Sequence, residues 1–163
     1  MEITKENIKT VTVAPEYIKK TLKFNGSEIL QINVKYPDVK IMPNVLYQKT
    51  EKKINDFYGI FVKNFINFCE KRLYKNAAAE FLTFKNNADN DNNDNNRFKP
   101  FGAVTNFEVA YNKQDFLRIY LDVSIYAGNG RKNKAKKSHV WKLSDGTLIP
   151  FKKFEKIIKQ TIS

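Results

Sequence analysis

The sequence predicts an α+β fold, with one antiparallel sheet of about five strands packed against one long helix and a short C-terminal helix. Three observations carry this. Residues 28–36 and 116–126 alternate apolar and polar side chains. Between them, apolar residues recur at spacings of three and four from Ile54 to Leu73. A shorter amphipathic pattern, Phe151, Phe154, Ile157, Ile158 and Ile162, closes the chain. A period of two splits side chains between the faces of a strand, and a period of about 3.6 gathers them into one helical stripe. A helix laid on the apolar face of a sheet is an α+β layering.

The first strand covers residues 17–24, where Ile18, Leu22 and Phe24 share a parity. Asn25-Gly26 follows, and both residues tolerate positive φ, so the pair marks a hairpin turn. In residues 28–36, Leu30, Ile32, Val34 and Tyr36 take one face, and Ile29, Gln31, Asn33 and Lys35 the other. Pro37 has no amide hydrogen for the ladder and is expected to end that strand. Pro43 and Asn44 mark a helix start, with Asn44 as its cap. The stripe is Ile54, Phe57, Tyr58, Phe61, Val62, Phe65, Ile66, Cys69 and Leu73, while Lys52, Lys53, Asn55, Lys63, Asn64 and Asn67 face water. Ala77, Ala78 and Ala79 carry the helix on through Phe81 and Phe84, with a bend expected near Asn76. The aromatic stripe reads as core, and Cys69 upon it as an inert buried thiol.

Residues 86–96 contain only Asn, Asp and one alanine, a disordered polar loop with nothing to bury. Asp89, Asp91 and Asp94 do not make an EF-hand. Counted from Asp89, position six is Asp94 where glycine is needed, and position twelve is Pro100 where glutamate is needed.

Beyond Pro100 the pattern turns to β. Ala103, Thr105, Phe107, Val109 and Tyr111 share one face, and residues 112–115 turn the chain. Over residues 116–126, Leu117, Ile119, Leu121, Val123 and Ile125 form an all-aliphatic face suited to covering the helix. Phe116, Arg118, Tyr120, Asp122, Ser124 and Tyr126 form a mixed aromatic and polar face where a partner can sit. Ala127-Gly128-Asn129-Gly130 breaks the strand, and its glycines supply positive-φ backbone for a turn. The basic run Arg131, Lys132, Lys134, Lys136 and Lys137 reads as a loop. A further strand spans residues 138–143, with His139, Trp141 and Leu143 on one parity. Ser144-Asp145-Gly146 turns into Thr147-Leu148-Ile149, which Pro150 stops.

A length of 163 residues suits one domain, residues 1–163. No apolar run approaches the ~18–20 residues needed to span a bilayer. The N-terminal residues mix both charge signs and lack the apolar segment of a secretory signal, so the sequence as written predicts a cytoplasmic location. With the single cysteine Cys69, a multi-cysteine zinc site and an internal disulfide are excluded. The net charge is +12, and residues 131–163 hold ten Lys or Arg against Asp145 and Glu155, which points to an anionic partner or a solvated basic face.

Little in the chain suggests catalysis. A hydrolase triad needs a histidine as base, and His139 is the only one. Ser138 precedes it on a strand, so the two side chains point to opposite faces and cannot pair. There is no HExxH, Walker loop or dinucleotide fingerprint. Neither a metal nor a cofactor is expected.

The second half of the chain carries a resemblance. Asn106-Phe107-Glu108-Val109, then Tyr111-Asn112, lead to an aliphatic strand ending in Tyr126. Gly128 and Gly130, then Trp141-Lys142-Leu143-Ser144-Asp145-Gly146, precede Leu148-Ile149-Pro150-Phe151-Lys152-Lys153-Phe154. With the aromatic-striped helix, this resembles the RsiV-like domain of unknown function over residues 28–154. That module occurs in lysozyme-sensing anti-sigma factors and beside the deacetylase domain of PdaC-type proteins. The resemblance implies a non-catalytic binding or sensing module linked to the bacterial cell envelope and usually extracytoplasmic. This chain departs from it where the family has Gly-Gly-Ala-His and Gly128-Asn129-Gly130-Arg131 stands here. Lysozymes are basic and so is this chain, so lysozyme sensing does not transfer.

The candidate contact residues are Tyr126, Gly128, Asn129, Gly130, Arg131, Lys132, Lys134, Lys136, Lys137 and Trp141. They point to a protein or an anionic glycan as partner of a monomeric chain. The alternative is non-specific binding of nucleic acid or another polyanion, through phosphate neutralisation by the lysines and base stacking on Tyr126 and Trp141.

Overall fold

The computed structural model describes residues 9–88, 97–128 and 130–162, with residues 161 and 162 described by backbone alone. Strands β1 (Thr10–Phe24) and β2 (Ser27–Met42) form a long hairpin. Helix α1 (Asn44–Phe68), a π-helical segment (Cys69–Leu73) and helix α2 (Tyr74–Ala88) then run on without a break. Strands β3 (Phe101–Lys113), β4 (Phe116–Tyr126), β5 (Lys132–Lys142) and β6 (Thr147–Ile149) lead to helix α3 (Phe151–Ile162). The α+β class is as expected. Among the described residues the sheet has six strands where about five were expected, in the order β1-β2-β3-β4-β5-β6. It is antiparallel except between β2 and β3, which run parallel over residues 30–34 and 101–105. The long helix returns the chain to the end of the sheet where β2 began, and that return makes a parallel neighbour. Among the described residues no helix is long and apolar enough to cross a membrane.

The buried stripe of the helix is Thr50, Ile54, Tyr58, Val62, Phe65, Cys69, Leu73, Ala77 and Phe81. From Phe65 onward every step is four residues. In a straight α-helix each such step overshoots a full turn by about 40°, so the row would wind away from the sheet. The π segment prevents this. Tyr74 N–H donates to Cys69 O, five residues back, and the extra residue in that turn rotates the row back into line. This irregularity lies about one helical turn before Asn76, near which a bend was expected. Pro43 is the N-cap and Asn44 the first helical residue, with no side-chain cap bond, so Asn44 does not act as the cap. The helix also runs through Asn86, Asn87 and Ala88, shortening the expected 86–96 loop from its front. Residues 89–96 lie outside the described residues.

Two buried clusters share this stripe. One joins Val62, Phe65, Cys69, Leu73, Ala77 and Phe81 to Leu30, Ile32 and Val34. The other joins Ile54 and Tyr58 to Val39, Ile41, Leu117, Ile119, Leu121 and Trp141. Cys69 is fully buried, and burial, reinforced by the charge of Glu70, pushes its thiol up to about 11.

Pro37 does not end β2. It stands opposite Pro15 of β1, and pairing continues through Thr10 and Met42. By then β2 has parted from β3, whose last paired residue is Thr105 opposite Val34. An amide hydrogen is thus not required of Pro37 on that side. Across the proline pair the inward parity changes from Leu30, Ile32 and Val34 to Val39 and Ile41, while the hairpin register stays intact. The vacated edge of β2 is taken by side chains. Thr105 Oγ1 accepts from Lys35 N–H and donates to Lys35 O, at 3.1 and 3.0 Å. Asn55, expected to face water, instead clamps Val39, accepting from its N–H at 2.8 Å and donating to its O at 2.9 Å. Glu51 accepts from Ile41 N–H.

A bulge between Val109 and Tyr111 moves Tyr111 off the face it was expected to share. It lies on the other face of the sheet, its ring 5.4 Å from that of Phe154. Phe154, Phe116 and Val140 form a third small cluster under α3, so this helix covers the opposite side of the sheet from α1.

The Asn55 clamp yields a stability prediction. Asn55→Ala leaves both polar groups of Val39 unpaired and should cost about 1–3 kcal/mol. Lys52→Ala, removing an exposed pair with Asp56, should cost under about 0.5 kcal/mol. Urea denaturation of both variants checks the contrast.

Candidate functional site

Strand β5 is longer than the sequence suggested. The basic run, expected as a loop, is strand from Lys132 onward, paired residue by residue with β4. Lys132 faces Tyr126, Lys134 faces Ser124, Lys136 faces Asp122 and Ser138 faces Tyr120. The aliphatic face of β4 packs on α1, so the strand's other parity, with its partners Lys132, Lys134 and Lys136, points away from the helix. Three lysines therefore stand in a row on one face, their Cα atoms about 6–7 Å apart along the strand.

Aromatic rings flank this row. Lys132 Nζ lies 4.7 Å from the Tyr126 ring centre, and Lys136 Nζ lies 4.5 Å from that of Tyr120. The Arg118 guanidinium stacks between Tyr120 and Phe151 at 4.6 and 4.2 Å. These contacts fix the rings and hold the cations near the sheet. A hydrogen bond from Lys132 holds the Tyr126 phenol below its usual pKa. Lys134 is held below the usual lysine range by its neighbour Lys132. The crowding of like charges is relieved by an anion placed between them. Tyr126 and the three lysines, with Val104, Asn106, Asp122 and Ser124, line an open trough of about 500 Å³. Its floor continues across Val104 and Asn106 toward Asn33 and Lys19. Asp122 offsets one of the positive charges.

The structure separates the sequence-predicted site residues into three groups. Tyr126, Lys132, Lys134 and Lys136 come together. Gly128, Gly130 and Arg131 form the turn at the end of the row: Ala127 N–H donates to Arg131 O and Gly130 N–H to Ala127 O. Gly130 has φ of +84°, and a Cβ on Gly128 would sit 2.9 Å from Lys99 O, so both positions need glycine. Arg131 lies 3.8 Å from Glu80. Asn129 lies outside the described residues. Lys137 and Trp141 fall on the helix-facing parity. Trp141 is only 3% exposed and its indole donates to Tyr58 Oη at 3.0 Å, so it belongs to the core and offers no stacking surface to a ligand. Tyr120 and Arg118 were expected on the mixed face where a partner can sit but were not among the ten candidate contact residues. Their parity with Tyr126 on the mixed face of β4 is the signal that finds them.

His139 is half-buried beside Phe57, its ring 4.9 Å away, and its Nδ1 meets Tyr58 Oη at 3.4 Å. Ser138 is on the other face, where its hydroxyl accepts from Arg118 Nε. The expected separation of serine from histidine thus holds. Burial, with the charge of Lys137, lowers the histidine pKa. The unfolded chain, with a histidine pKa of about 6.5, then binds more protons than the native state. Stability conferred by neutral His139 is present above that value and is lost as pH falls through the lower native pKa. Melting temperature should therefore drop between pH 7 and pH 5, and His139→Phe should flatten that interval. A wild-type melting temperature that does not change there would contradict this environment.

No family model matches the sequence, and no curated protein matches it. Among solved structures, a member of the DUF3298 family from Bacteroides fragilis is similar in fold, with a TM-score of 0.53 and 15% sequence identity. The match covers 86% of this chain and 59% of that one, so this chain spans little more than half of its neighbour's length. The α+β architecture is thus shared with a domain of unknown function.

Proposed function

We propose that this chain is a non-catalytic binding module of the RsiV-like type, which takes an anionic partner on the outer face of β4 and β5. The row of Lys132, Lys134 and Lys136 on one strand face, bracketed by Tyr126 and Tyr120, carries the reading. Lysines in a loop would have to be ordered on binding. Here the strand has already spaced and aligned them, which lowers the entropic cost of binding. The aromatic rings add flat surfaces beside the charges, a combination that suits a polymer with anionic groups at regular intervals. The sequence likeness to the RsiV-like domain favours a module that binds over one that turns over substrate. His139 supports the same view, because its imidazole is engaged with Tyr58 and Phe57 inside the sheet–helix packing. Anionic glycans and acidic proteins of the bacterial envelope are the partners this reading expects.

Fluorescence anisotropy with a labelled single-stranded oligonucleotide, a generic polyanion, tests the site. Wild type should bind at low salt and weaken as salt rises. Replacing Lys132, Lys134 and Lys136 together by alanine should weaken binding at least tenfold and reduce the slope of log K against log salt by about 2. Lys137→Ala, on the other parity, should change affinity by less than about twofold. Equal losses from Lys137 and from the three-lysine row would place the charge effect in the whole surface and overturn the site.

A further inference from the structure

The same strand has a second property that its charge does not explain. Strand β6 pairs only with Val140, Trp141 and Lys142, so β5 from Lys132 to His139 is an edge of the sheet. Two hydrogen bonds fix which way its backbone points. Ala127 N–H donates to Arg131 O, and Leu143 N–H donates to Asp115 O, both in the register that pairs β4 with β5. Directly opposed antiparallel residues bond at every second position. The odd-numbered residues from 131 to 143 therefore bond to β4. The N–H and C=O groups of Lys132, Lys134, Lys136 and Ser138 point outward from the sheet. Among the described residues no strand pairs with them on that side, and no turn or loop backbone bond meets them.

The two sides of this edge differ in chemistry. Lys132, Lys134 and Lys136 project from the outer face. Toward the helix, beside Ala135, lies a largely apolar groove of about 270 Å³ lined by Phe61, Phe65, Phe68, Leu121 and Val123, with Lys137 the one charged residue among its lining. Phe68 is 37% exposed there, and the Phe61 and Phe65 rings stack beside it at 6.1 Å.

We infer that this edge is a docking site for an extended polypeptide segment in which acidic and apolar residues alternate. The segment adds as a strand to β5. Its residues opposite Lys132, Lys134 and Lys136 take the outgoing backbone bonds and set their side chains on the outer face, where carboxylates meet the amines. The residues between them turn toward the helix and fill the groove. Main-chain bonds supply the general affinity, and the alternation supplies the selectivity. A second copy of β5 is disfavoured as occupant, because it would set lysine against lysine across the new pair. The lysines thus also guard the edge against self-association until an acidic strand arrives. This inference rests on the outer-face reading above and narrows it to one class of partner.

The probes are a labelled nonapeptide alternating Glu with Val and Leu, its scrambled isomer, an oligo-glutamate of equal length and the oligonucleotide. The alternating peptide should bind at least tenfold more tightly than the isomer and the oligo-glutamate. Lys136→Pro removes an outward N–H from an edge position, while Lys136→Ala keeps it and loses the same charge. With both variants folded by circular dichroism, the alanine variant should lose about threefold affinity for the alternating peptide, and the proline variant at least tenfold. Phe68→Ser should weaken the alternating peptide alone. If the isomer and the oligo-glutamate bind as tightly as the alternating peptide, or if proline and alanine at 136 behave alike, the strand-addition site is overturned and the anion site stands. If no probe binds even at low salt, both readings fall.

Discussion

The apolar stripe of the long helix supplies side chains to both large core clusters, and the placing of the strands depends on it. Val62 through Phe81 hold the turn end of the β1–β2 hairpin, and Ile54 and Tyr58 hold β4, β5 and the far end of the same hairpin. One stripe can serve both only while it faces the sheet along its whole length. The π turn at Cys69–Leu73 provides that, absorbing the drift that repeated four-residue steps would build up. The hairpin adapts in turn. Its buried parity switches across the Pro15–Pro37 pair, and Asn55 and Glu51 of the helix cap the edge that β3 leaves behind.

The candidate site follows from this packing. Because the aliphatic side of β4 is committed to the helix, Tyr120, Asp122, Ser124 and Tyr126 are turned outward, and pairing turns Lys132, Lys134 and Lys136 with them. Helix α3 covers only the Phe116 and Val140 end of that face. The short β6 leaves most of β5 without an outer neighbour. An uncovered face, a free edge and an apolar groove on the helix side therefore meet along one strand.

Strand β4 could be read to the residue because its alternation is unbroken and turns flank it. Strand β5 could not. Lys132, Asn133, Lys134, Ala135 and Lys136 give no apolar period, and it is pairing with β4 that makes them a strand. Parity did hold the information that separates Trp141 and Lys137 from the other lysines, once the strand is known to begin at Lys132. The extension of β2 past Pro37 was hidden for a different reason: it depends on β3 diverging, a tertiary event with no local signature. Asn55 was misplaced because a polar residue beside the stripe looks solvent-facing until the edge it caps is in view. The π turn did leave a trace, in the run of four-residue steps from Phe65 to Phe81.

The claim on which the functional account turns is that one face of β5 carries the contact. Residue-resolved NMR during titration with a short polyphosphate tests this directly, following backbone amides and the tyrosine and tryptophan ring signals. The account predicts that the shifts concentrate at Lys132, Lys134, Lys136, Tyr126 and Tyr120, with the Trp141 indole and Lys137 little changed. Shifts centred on Trp141 and Lys137, or spread evenly over lysines throughout the chain, would contradict it.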